Sequence, residues 1–139
     1  TNILVNKYGN IKLSDFGISK IIQKVDASCD NSNEKGTYIW MAPEVVMGIN
    51  YNHTADIYSL GLLMYFIWTE KLPFEELNLI TVQLMFMKIK NELCIALIED
   101  NVELNNLIHA CTSYDKYERP NSSEIINLLY NMQDKNQSF

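Results

Sequence analysis

The chain has 139 residues, of which 47% are hydrophobic and 11% aromatic, enough to bury one core but not two. Its formal net charge of −6 argues against a nucleic-acid partner, because binding to a phosphate backbone needs clustered Lys and Arg. Cys29, Cys94 and Cys111 are too few and too widely spaced for a disulfide framework or a tetrahedral metal site, which favours a reduced, cytoplasmic setting.

The first predicted elements are two short strands and a long loop. Ile3–Val5 and Ile11–Leu13 are apolar and flank a turn that contains glycine, so they predict a β-hairpin. Residues 23–37, QKVDASCDNSNEKGT, are polar and turn-forming, and we expect an exposed loop there. A loop of about fifteen residues is long enough to require a functional reason.

Helices are predicted for most of the remaining chain. The run HTADIYSLGLLMYFIW predicts a buried central helix, with Thr54 or Asp56 capping its first turn. Its apolar stretch from Leu60 to Trp68 is far shorter than the roughly 20 residues that cross a bilayer. Two amphipathic helices follow, and their inward faces are predicted from helical spacing to be Leu79, Val82, Met85, Phe86 and Ile89 in the first and Leu104, Leu107, Ile108 and Cys111 in the second.

The last predicted helix is NSSEIINLLYNM, which follows Pro120. Asn121 as the N-cap and Glu124 three residues later form a capping-box pattern. The residues expected to face inward are Ile125, Leu128, Leu129 and Met132. Residues 134–139 are expected to form a frayed tail.

Short motifs follow one another along the chain in a fixed order. They are DFG (residues 15–17), GT (36–37), MAPE (41–44), DIYSLG (56–61) and RP (119–120). In this order they resemble the C-terminal lobe of a eukaryotic protein kinase, and the resemblance covers nearly the whole chain. It implies an α+β, mainly helical fold over residues 1–133, with a small N-terminal hairpin, an activation loop and a buried central helix.

The resemblance also implies a chemistry, the transfer of the ATP γ-phosphoryl group to a protein substrate with the help of Mg²⁺. Asn2 falls on the asparagine that ends the catalytic loop and Asp15 on the DFG aspartate, so both are expected to bind the magnesium that holds the nucleotide. The catalytic aspartate would lie just before Thr1, and no glycine-rich loop or phosphate-pairing lysine is recognised. We therefore expect a fragment of a kinase domain that is inactive alone.

The segment after the DFG motif resembles an activation segment, which runs from Ile18 to Met41. By resemblance, the inward packing of Phe16 indicates the active state. Gly17 lets the backbone change conformation, because glycine accepts positive φ. Ser28 and Ser32 are the candidate regulatory phosphorylation sites. The alternative for both serines is ordinary turn chemistry in a loop.

The stretch GTYIWMAPE bears on the substrate. Thr37 resembles the threonine that lies beside the substrate hydroxyl in Ser/Thr kinases, whereas Trp40 and Met41 resemble the tyrosine-kinase version of the loop. The mixture resembles the tyrosine-kinase-like group, whose members mostly phosphorylate Ser and Thr. We therefore expect Ser/Thr specificity.

Three further residues are expected to support the architecture. By resemblance, Glu44 and Arg119 form a buried ion pair that ties the substrate-docking loop to the last helices, and Asp56 accepts N–H bonds from the catalytic loop. Two alternatives stay open. In the first, the chain belongs to a pseudokinase or truncated lobe that serves as a protein-binding scaffold. In the second, it is an unrelated helical protein, in which Glu44 and Arg119 would lie far apart. Membrane attachment through upstream sequence is not excluded.

Overall fold

A computed structural model of the protein describes residues 3–14 and 37–136. The first part is an antiparallel hairpin of two strands, β1 (Ile3–Val5) and β2 (Ile11–Leu13). The loop between the strands closes at Gly9, whose φ of 81° is accessible to glycine at little cost. The predicted hairpin is confirmed, and both faces of it are exposed in the described structure.

The second part is helical, and its elements follow in chain order. They are α1 (Thr37–Trp40), α2 (Pro43–Val46), α3 (Thr54–Thr69), a 3₁₀ turn (Glu75–Leu77), α4 (Thr81–Ile89), α5 (Val102–Cys111) and α6 (Ser122–Asn136). This content confirms the α+β, mainly helical class. Within the two described ranges, no helix combines the length and the apolarity that a membrane crossing requires.

Helix α3 lies at the centre of the helical part. It packs against α5 and α1, and its residues Leu62 and Tyr65 are almost fully buried. Gly61 lets α5 approach closely, because a Cβ at this position would lie 2.7 Å from the Cβ of Cys111 and 2.9 Å from a methyl carbon of Thr112. The predicted central helix is therefore confirmed, and a missing side chain sets its distance from α5.

The first turn of α3 is capped differently from the prediction. The N-cap position is His53, which makes no capping bond with its side chain. Asn52 Oδ1 instead accepts hydrogen bonds from the backbone N–H of Thr54 (3.0 Å) and from its hydroxyl (2.6 Å). Asp56 lies exposed in the first turn, where a carboxylate interacts favourably with the helix dipole without capping a specific N–H group. The expected capping by Thr54 or Asp56 is wrong, because the turn starts earlier than the pattern suggests.

The inward face of α5 is confirmed, but that predicted for α4 is right only in part, since Leu79 packs against the core whereas Val82, Phe86 and Ile89 are exposed. All four residues expected inward in α5 are buried. In α4 the buried residues are Leu84 and Lys88, whereas Val82 is 71% and Phe86 55% exposed. The reason is tertiary, since α1 and α2 pack against the side of α4 that carries Leu84 and Lys88.

The N-terminus of α6 has the predicted capping box. Asn121 Oδ1 accepts from the N–H of Glu124 (3.0 Å), and Glu124 Oε2 accepts from the N–H of Asn121 (2.8 Å). Ile125 is buried, while Leu128 and Leu129 keep about 40% of their surface exposed, so the inward stripe is narrower than predicted. The helix ends at Asn136, three residues beyond position 133.

Candidate functional site

The most strongly organised polar site joins α2 to the segment before α6. Helix α2 begins at Pro43, whose fixed φ and missing N–H suit the first helical position, and this places Glu44 in the first turn. Arg119 Nη1 donates to Glu44 Oε1 at 2.6 Å, and Nη2 donates to Oε2 at 2.9 Å. Both residues are buried, at 5% and 6% exposure. The structure thus brings together two residues that lie 75 positions apart, in a bidentate geometry that fixes orientation as well as charge.

Arg119 also donates hydrogen bonds to uncharged backbone carbonyls. Its Nε donates to the carbonyl of Ser113 (2.8 Å), and its Nη1 donates to the carbonyl of Thr54 at the start of α3 (2.9 Å). The guanidinium carbon lies 5.0 Å from the centre of the Tyr58 ring. One side chain therefore fixes α2, the start of α3 and the loop after α5 relative to one another.

A second buried cation, Lys88, was missed by the sequence reasoning. It is 1% exposed, and its Nζ donates to the carbonyls of Tyr38 (3.1 Å), Ile39 (2.6 Å) and Met41 (2.6 Å). Burial lowers the pKa of Lys88 to about 7, because removal from water disfavours the charged amine. Its only trace in the sequence is its spacing of four from Leu84, which places both residues on one face of α4.

The other predicted site residues are placed less completely. Asp56 lies exposed on α3 and takes no part in the pair of Glu44 and Arg119. Thr37 is the first residue of α1, and its side chain lies outside the described part. The remaining predicted residues lie wholly outside the described ranges, namely Asn2, Asp15, Phe16, Gly17, Ser28 and Ser32.

In the sequence, the two predicted magnesium ligands lie on either side of the hairpin. Ile3 pairs with Leu13 at the open end of the hairpin. Asn2 is the residue before Ile3, and Asp15 is the second residue after Leu13. Among the residues that the structure does describe, no cluster of three or more His, Cys, Asp or Glu could hold a metal ion.

These features define a helical lobe of the kinase type, in which a buried Glu–Arg pair secures a short helix beside a central buried helix. Residues 1–131 match the protein kinase domain, and the chain belongs to the protein kinase family. The contact between Glu44 and Arg119, together with this match, excludes an unrelated helical protein with chance motifs.

Several relatives are similar over nearly the whole chain. The three described here are from Dictyostelium discoideum. A protein named "Probable serine/threonine-protein kinase" is 34% identical over 129 residues, which is 92% of this chain and 14% of that protein. The dual specificity protein kinase shkC is 33% identical (93% of this chain, 26% of that protein), and the dual specificity protein kinase pyk3 is 33% identical (96% and 10%). The chain thus spans about a quarter or less of the length of these relatives.

Proposed function

We propose that the protein carrying this chain is a serine/threonine protein kinase, which transfers the γ-phosphoryl group of ATP to hydroxyl groups of a protein substrate. The observation that carries the proposal is the buried, bidentate pair of Glu44 and Arg119, which holds the end of the GTYIWMAPE stretch against the helical lobe. The relatives support it, since their names include both serine/threonine and dual specificity protein kinases. The cytoplasmic location predicted from the cysteine spacing is part of this proposal.

Asn2 and Asp15 are proposed to hold the magnesium that accompanies the nucleotide. Their amide and carboxylate oxygens are the donor types that this hard cation prefers, so the donor set fits the ion. The pairing of Ile3 with Leu13 supports a shared site, because each proposed ligand is within two residues of this pair. When bound, the ion neutralises charge on the phosphates during transfer.

The segment from α1 to α2 is proposed to receive the protein substrate. Thr37, at the start of α1, is assigned the position beside the substrate hydroxyl. Glu44 and Arg119 secure the far end of the segment and have an architectural role. Asp56 is assigned to accept N–H bonds from the catalytic loop, for which its exposed carboxylate is free of the buried pair.

Regulation is assigned to the segment between the hairpin and α1. The packing of Phe16 is proposed to differ between the active and inactive arrangements. Gly17 is proposed to let the backbone change from one arrangement to the other. Ser28 and Ser32 are the proposed phosphorylation sites, because a phosphate adds charge that orders a polar segment against basic side chains.

Phosphoryl transfer by the full-length protein tests this function. The purified protein is incubated with labelled ATP, Mg²⁺ and matched peptides in which the only hydroxyl belongs to Ser, Thr or Tyr. We expect label on the Ser and Thr peptides, and a fall in kcat of about 100-fold or more in Asp15→Asn. Asp100→Asn, a change of an exposed loop carboxylate, is the matched control and should keep full activity.

Each outcome of this assay has a defined meaning. Label on the Tyr peptide alone contradicts the proposed specificity. Full activity in Asp15→Asn contradicts its role at the magnesium. A folded full-length protein that labels none of the peptides contradicts the enzyme assignment and favours a protein-binding scaffold.

A further inference from the structure

The backbone carbonyls of residues 38–41 all accept hydrogen bonds from side chains of other helices. Lys88 of α4 supplies three of these bonds, to Tyr38, Ile39 and Met41, at 2.6 to 3.1 Å. The last carbonyls of a helix have no partner within it, and a helix of four residues consists almost entirely of such unpaired groups. Lys88 thus meets a need that α1 cannot meet internally.

Ser59 of α3 supplies the fourth bond, since its hydroxyl donates to the carbonyl of Trp40 at 2.8 Å. Two helices that are separate in the chain therefore fix four consecutive peptide groups. This is a stricter restraint than apolar packing alone, because hydrogen bonds specify direction as well as distance.

The ammonium group of Lys88 suits this task in number and in surroundings. It has three N–H bonds and finds three carbonyls within 3.1 Å. The rings of Tyr58 and Phe74 lie 5.1 and 5.6 Å from Nζ, where their faces attract a cation. Glu44 pairs with Arg119, and the three hydrogen bonds of Lys88 all go to backbone carbonyls.

The anchored segment leads directly into the site described above. Residues 38–41 are followed by Ala42, which is buried, and by the first turn of α2, which Arg119 holds through Glu44. Helix α4 packs against both α1 and α2. Lys88 thus secures one end of the proposed substrate-docking segment, and Arg119 secures the other.

We propose that Lys88 is a positioning residue for the protein substrate, whose side-chain nitrogen holds the backbone of residues 38–41 in the shape that receives the polypeptide around the target hydroxyl. This inference rests on the proposed kinase function. Lys88 acts through the docking segment, so its loss affects the binding of the protein substrate and leaves the binding of ATP unchanged.

The test compares Lys88→Met with Lys90→Met in the full-length protein. Both changes remove a lysine charge and keep an unbranched side chain, but Lys90 is exposed at the end of α4. We expect Lys88→Met to raise KM for the peptide at least about tenfold, as the loss of charge-assisted hydrogen bonds implies, with KM for ATP unchanged. Amide hydrogen exchange of residues 38–42 should speed up by a similar factor in Lys88→Met and stay unchanged in Lys90→Met.

The two readouts separate failure of the inference from failure of the proposed function. Without phosphoryl transfer by the unaltered protein, the function is wrong, and the exchange measurement still shows whether Lys88 anchors the segment. With transfer present, an unchanged peptide KM in Lys88→Met overturns the inference. Equal increases in both KM values also overturn it, because they indicate a general structural defect.

A measurement on the unaltered protein covers the case in which Lys88→Met fails to fold. In nitrogen-detected NMR of ¹⁵N-lysine-labelled protein at about pH 6, below the lowered pKa of Lys88, we expect one lysine whose ammonium protons exchange slowly with water, assigned to Lys88 through Lys88→Arg. Fast exchange for every lysine overturns the inference, since an ammonium bonded to three buried carbonyls is shielded from water.

Discussion

Removal of the Arg119 guanidinium should cost more stability than removal of the whole ion pair. In Arg119→Met the carboxylate of Glu44 stays buried and loses both of its N–H donors, at 2.6 and 2.9 Å. Loss of one partner of a buried pair costs about 3–5 kcal/mol. The carbonyls of Ser113 and Thr54 lose their donors as well, which places the expected cost near the upper limit, at about 5 kcal/mol.

The partner change Glu44→Gln should cost less, at about 3 kcal/mol. It leaves Arg119 with the carbonyls of Ser113 and Thr54, and the neutral amide still accepts one hydrogen bond. The double variant Glu44→Leu/Arg119→Met leaves no buried charge, so it should unfold less readily than Arg119→Met alone. This ordering follows because the stranded carboxylate, and not the lost attraction, dominates the cost.

Urea unfolding followed by circular dichroism measures these free energies, with Lys71→Met as the control at an exposed lysine. A cost below about 1 kcal/mol for Arg119→Met would refute the reasoning, because it would be the value of a surface pair. The same holds if the double variant costs the sum of Arg119→Met and a single Glu44→Leu, since the residues would then act independently.

Three further predictions concern the helices. Gly61→Ala should destabilise the protein by about 1–3 kcal/mol in thermal unfolding, and it should cost less when made in a Cys111→Gly background, which lacks the Cβ that lies 2.7 Å away. The free energy of unfolding should rise by about 2 kcal/mol between pH 7 and pH 9, because the folded pKa of Lys88, about 7, lies below the unfolded value of 10.5 and the unfolded chain then binds more protons. Tyr58, whose pKa is raised by burial, stays neutral over this range, and the rise should be absent from urea titrations of Lys88→Met. Asn121→Ala should cost about 1 kcal/mol in urea unfolding, and a cost near zero would contradict the observed capping box.

The parts of the fold that the sequence predicts well are those set by local chemistry. The hairpin, the inward face of α5 and the capping box at Asn121 each depend on residues within a few positions of one another. The inward face of α4 was not predictable in this way. Apolar residues occur on several sides of LITVQLMFMKIK, and the packing of α1 and α2 decides which side is buried.

The candidate site divides along similar lines. The pairing of Glu44 with Arg119 was expected only through the family resemblance, since no periodicity links residues 75 positions apart. Lys88 could not be found from its partners, because they are backbone carbonyls and every residue has one. The assignments of Asn2 and Asp15 stay predictions, since both residues lie outside the described part.

Two buried cations hold the proposed docking segment through different kinds of partner, and one helix supports both. Arg119 binds a carboxylate, so its contact depends on which residue is at position 44. Lys88 binds carbonyls, so its contacts do not depend on which side chains residues 38–41 carry. The Tyr58 ring of α3 lies 5.0 Å from the guanidinium carbon and 5.1 Å from the Lys88 nitrogen. The next residue, Ser59, bonds to the carbonyl of Trp40. Both ends of the segment are therefore fixed to the same turn of α3, so the side chains of residues 38–40 can change while the backbone that carries them keeps its position.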